Sequence, residues 1–80
     1  MELNGLRALV RDKLQRGDLP REKCLITWFG PGSGQRCVVC DRAIGSSDIE
    51  CECDHPRGDV LRFHQTCFAA WVETRQAVGV

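Results

Sequence analysis

A small α+β domain is what this sequence predicts, and three observations predict it. Apolar residues recur at three- and four-residue steps from Leu3 to Arg16 and again around Phe68 and Trp71, the spacing of helices that bury one face. Between them, Ile49, Cys51 and Cys53 alternate with Glu50, Glu52 and Asp54, the period of a strand with one buried side. Lastly, Cys37-Val-Val-Cys40 and His64-Gln-Thr-Cys67 stand 23 residues apart, two pairs of metal-ligating side chains separated by enough chain for a hairpin.

The spacing within each pair decides its chemistry. Cysteines three positions apart on a tight turn can place both sulfurs on one tetrahedral ion without straining the backbone. His64 and Cys67, at i and i+3 on the first turn of a helix, share a face and can converge on the same ion. A thiolate there is also favoured by the unpaired amides of the helix N-terminus. Cys37, Cys40, His64 and Cys67 are therefore the expected ligands of one zinc ion.

Size gives that ion a purpose. Eighty residues make one domain, and a chain of this length buries only about 60–65 % of its unfolded surface, so its core often needs a staple. Zinc in small modules binds with roughly 10–16 kcal/mol, much of it appearing as folding free energy. Six cysteines could instead form disulfides, but only in an oxidising compartment. The N-terminus carries Glu2, Arg7, Arg11, Asp12 and Lys13 without an uninterrupted apolar run, which suits neither a signal peptide nor a membrane span. A cytoplasmic location, with metal rather than disulfide, is the expectation.

The first helix should run from Leu3 to Arg16, with Leu6, Leu9, Val10 and Leu14 inward and Arg7, Arg11, Asp12, Lys13 and Gln15 in solvent. Gly17 suits the left-handed cap, and Pro20 stops the helix from resuming. In the connector from Arg21 to Gln35, Cys24 to Phe29 is short enough for a strand or an extended segment; Trp28 and Phe29 could anchor a partner, but a chain this small should need them inside. Cys24 has no ligand neighbour and reads as a free, buried thiol. Gly30-Pro-Gly-Ser-Gly34 lacks the Gly-Lys-Ser/Thr ending of a phosphate loop and reads as a flexible turn.

Ile44 to Asp48 should turn into a hairpin whose second strand, Val60 to Phe63, points Leu61 and Phe63 inward. Cys51-Glu-Cys53-Asp-His55 could hold a soft metal, but thiols on the apolar face of a strand read better as core, and His55, beside Pro56, reads as solvated. Beyond Cys67, Phe68, Trp71 and Val72 form a stripe that should cover the hairpin and meet the first helix. Arg75 ends that stripe, and Gly79 should fray the terminus.

Cys37-x-x-Cys40, Ile44-Gly45, a hairpin and His64-x-x-Cys67-Phe68 together resemble the first zinc-binding half of a LIM domain, and more broadly a treble-clef zinc finger, over about residues 37–72. That resemblance implies a knuckle, a hairpin and a helix whose first turn closes the site. Asp41 stands where glycine is more usual and tolerates left-handed backbone. The whole layout, residues 1–36 as helix and connector packed on a finger of residues 37–80, also resembles small bacterial zinc-finger proteins and implies no activity.

Net charge is zero, yet residues 1–36 carry seven Lys/Arg against four Asp/Glu, and residues 37–80 four against seven. A finger that gripped phosphates would need the opposite. The expected function is a structural zinc module that recognises another protein, as a monomer, away from membranes and without enzymatic activity, since four protein ligands leave no open metal position. Two alternatives are a redox or metal-responsive switch through Cys51 and Cys53 and a nucleic-acid-binding regulator using the basic N-terminal half.

Overall fold

A computed structural model describes residues 3–78, and side chains for 4–76; the Leu3 side chain and Gly79 lie outside that range. Helix α1 (Leu3–Arg16) is followed by strands β1 (Ile26–Pro31), β2 (Ile49–Asp54) and β3 (Val60–His64), and then by helix α2 (Gln65–Val78). The strands form one antiparallel sheet in the order β1-β2-β3.

Helix α1 has the expected bounds because its apolar stripe and its caps agree. Leu6, Val10 and Leu14 are buried, and Gly17 takes φ 80° while its amide donates to the Leu14 carbonyl at 3.2 Å, a left-handed cap that an L side chain would resist. Helix α2 packs on α1 and, on its other side, on β2 and β3. Between these layers Trp71 is fully buried, stacked on Phe63 at 5.1 Å between ring centroids. Its Nε1 donates to the Pro20 carbonyl at 3.0 Å, which fastens the chain leaving α1.

Cys51 and Cys53 lie on the inner face of β2, buried as expected. Cys24 does not remain a free thiol: it is joined to Cys53 in a disulfide, with Cα atoms 5.4 Å apart. The cause is topological. β1 runs antiparallel to β2, with Ile26 opposite Asp54, so the residues entering β1 return to the end of β2. Such a bridge across 29 residues is worth about 3–4 kcal/mol.

Trp28 and Phe29 also depart from expectation: they are 58 % and 60 % exposed. Helix α2 covers β2 and β3, and β1 lies one strand beyond that roof. The glycine-rich stretch is pinned rather than free. Gly32 and Gly34 donate to the carbonyls of Asp48 and Ile44, while the Ser33 amide and hydroxyl donate to Glu50 at 3.0 and 2.7 Å. A Cβ on Gly32 would run into the Gly45 carbonyl, so glycine is required there. Burial raises the Glu50 carboxyl, but Ser33 and Arg62 outweigh this and hold it below the usual range.

Candidate metal centre

The knuckle is built by backbone hydrogen bonds around Cys37. The Cys37 amide donates to the Arg42 carbonyl and the Asp41 amide to the Cys37 carbonyl, both at 2.9 Å. Asp41 closes the turn at φ 63°, the left-handed conformation that aspartate accepts at low cost. The Val38 amide donates to the Arg62 carbonyl at 2.9 Å, which staples the knuckle to β3 just before His64. That histidine ends β3 instead of opening the helix, and Cys67 sits in the first turn of α2. Strand and helix thus supply one ligand each.

The four ligand atoms of Cys37, Cys40, His64 and Cys67 all lie within 4.8 Å of one another, and Cys40 Sγ is 3.3 Å from His64 Nδ1. A tetrahedral shell with bonds of about 2.0–2.3 Å has edges of about 3.5–3.8 Å, so a set confined within 4.8 Å is close to that size and could hold a metal ion. Cys37 and Cys67 are buried, while Cys40 and His64 are half-buried.

The electrostatics suit a cation. The Cys37 thiol is pushed down to about 4, first by a hydrogen bond from the Cys67 thiol, against burial, and with help from the amides of Cys40, His64 and Val39. Cys67 is driven the other way by the same hydrogen bond and by burial. The two thiols are thus pushed in opposite directions by the hydrogen bond they share, and a divalent cation at this place would displace the proton between them.

Two residues that the ligand spacing does not reveal support this shell. Lys13, which helical periodicity places in solvent, is buried; its Nζ donates to the Val38 carbonyl at 2.9 Å and to Asp41 Oδ2 at 3.0 Å. Three thiolates around a divalent ion would leave one negative charge, which this ammonium at the knuckle would offset. Asp48 accepts from the Gly45 amide at 2.9 Å and places Oδ2 3.8 Å from His64 Nε2. With Nδ1 turned to Cys40, Nε2 is the nitrogen left to carry the proton, and a nearby carboxylate favours that tautomer. Asp48→Ala should weaken metal binding by about 10–100-fold in competition with a chromophoric chelator. Unchanged affinity would reduce Asp48 to a turn-former.

Of the other metal-ligating residues considered from sequence, Cys51 is a buried free thiol outside the cluster and Cys53 is in the bridge. His55 is 4 % exposed, not solvated. Its Nδ1 accepts from the Arg57 amide at 3.3 Å, and its Nε2 lies 3.5 Å from Glu22 Oε1, a pairing only the β2–β3 loop conformation creates. Among the described residues, no helix is long and apolar enough to cross a membrane. No family model, curated protein or solved structure matches the chain.

Proposed function

We propose that the chain is a structural zinc module of treble-clef type that serves to dock onto another protein. The observation that carries this reading is the convergence of Cys37, Cys40, His64 and Cys67 from a knuckle, a strand end and a helix start. Three thiolates and an imidazole gathered within 4.8 Å of one another favour zinc. Four protein ligands would close the shell, which supports a non-catalytic role.

The two alternatives find less support. For nucleic acid, Arg7 pairs with Glu73 at 2.6 Å, Arg16 with Asp12 and Asp18, and Lys13 with the knuckle, so much of the basic face of α1 is already engaged. For a thiol switch, burial pushes the Cys51 thiol up to about 11, which leaves little reactive thiolate at that position. Metal and disulfide are not exclusive here, contrary to the sequence expectation. In the cytoplasm, the proposed location, the Cys24–Cys53 pair would stand reduced, leaving the metal centre to hold the fold.

Native mass spectrometry of the protein purified without reductant tests the proposal. One zinc per chain, together with the mass deficit of one disulfide, is the expected result. A folded, metal-free chain would overturn it.

A further inference from the structure

Among the described residues, the six most exposed large apolar side chains are not scattered. Leu25, immediately before β1, and Ile26, Trp28 and Phe29 along it are 69, 51, 58 and 60 % exposed, while Ile49 and Val60 are 46 and 49 % exposed and lie in the rows of Pro31 and Ile26. β1 is an edge strand, so alternate backbone N–H and C=O groups along it point away from β2.

Edge strands are normally blunted by lysine, inward charges or short length. β1 spans six residues, and from Leu25 to Gln35 the chain has no charged residue. Its faces differ in partner but not in character. Ile26 and Trp28 lie on the outer face, in rows with Asp54 and Glu52; Phe29 lies on the inner face, in the row of Cys51 and Phe63, and meets the Phe68 ring edge-on at 6.0 Å. A strand apolar on both faces has the pattern of a central strand, not of an edge.

We propose that β1 pairs antiparallel with β1 of a second copy of this chain, joining two three-stranded sheets into one of six strands. This names the partner of the docking module above and rests on that reading; it replaces the monomer expected from sequence. Self-pairing follows from neutrality: an uncharged strand offers no counter-charge to recruit an acidic or basic partner, whereas antiparallel apposition to itself about a twofold axis near Trp28 brings no like charges together. Pro31 has no amide to donate and ends the ladder, leaving Ile26 to Gly30 to pair.

The area lies just below that of a small specific dimer. Taking about 150–250 Å² for a whole large side chain, the exposed parts of Leu25, Ile26, Trp28 and Phe29 offer roughly 500 Å² per copy before backbone is counted, against about 600–800 Å² per partner in specific interfaces. A dissociation constant in the micromolar range is therefore expected.

Sedimentation velocity on the zinc-loaded full chain, from low micromolar to several hundred micromolar, reads the association directly. A reversible dimer should form as concentration rises, and amide exchange along β1 should slow with it. Trp28→Lys and Ile26→Lys each place a charge on an exposed position and should weaken the dimer at least tenfold with zinc content unchanged; the two variants guard against one failing to fold. A monomer throughout the range overturns the inference and leaves the edge to an unlike strand. A dimer that both variants retain at wild-type affinity, without β1 protection, overturns it in favour of another face. Loss of zinc in the wild type would instead count against the metal-module reading, so the two failures are distinguishable.

Discussion

Cys67→Ser is expected to abolish cooperative folding, even with zinc in excess. Cys67 is 5 % exposed and sits where α2 begins, so through the proposed ion its sulfur would tie the helix that carries Trp71 to the knuckle at Cys37. A serine hydroxyl is a far weaker zinc ligand than a thiolate and would be buried beside the unpaired Cys37 and Cys40. The stake is most of the roughly 10–16 kcal/mol that zinc supplies to modules of this kind, against a net stability of about 5–15 kcal/mol for small domains. The readout is a thermal melt followed by far-ultraviolet circular dichroism, with chelator-treated wild type as reference. Both should lose their cooperative transition. A sharp transition in the variant would show that the apolar core and the Cys24–Cys53 bridge carry the fold without the ion.

Trp71→Ala should have the next largest effect. Trp71 is fully buried, stacked on Phe63, 5.8 Å from the Phe68 ring and covered by the Arg75 guanidinium at 4.9 Å. Its truncation leaves a cavity costing about 3–5 kcal/mol and strips the Pro20 carbonyl of its donor, a further cost of about 1–3 kcal/mol if water cannot reach it. At about 4–8 °C per kcal/mol for a domain of this size, the zinc-saturated variant should melt more than 15 °C below wild type, or be unfolded at room temperature. A drop of a few degrees would mean that α1 and its connector are not held through this side chain.

The contrast between ligands and supporting residues shows what could be read in advance. The clustering of Cys37, Cys40, His64 and Cys67 was legible because each pair sits three positions apart, a spacing that local turn geometry converts directly into convergence. Helix α1 was legible to its ends for the same reason: its stripe, Gly17 and Pro20 are all local. The left-handed turn at Asp41 belongs with them. Lys13 and Asp48 carry no such signature. One reaches from a helix to a knuckle 25 residues away, the other across a turn to the far nitrogen of His64, and both depend on how elements dock.

His55, Cys24 and β1 make the same point at larger scale. A histidine beside a proline has the composition of a loop, yet the Arg57 amide and Glu22 enclose it. Cys24 has no ligand neighbour in sequence, yet strand pairing delivers it to Cys53. Trp28 and Phe29 are hydrophobic enough for a core, but α2 is only wide enough to roof β2 and β3. What the sequence alone determined were the two helices, the β2–β3 hairpin and the grouping of Cys37, Cys40, His64 and Cys67, since periodicity, capping and i, i+3 spacing act within a few residues. Strand order, the Cys24–Cys53 bridge, the charges gathered at the knuckle and the bare apolar edge were decided only in the tertiary structure. Each depends on which surfaces a two-helix, three-strand fold has enough material to cover.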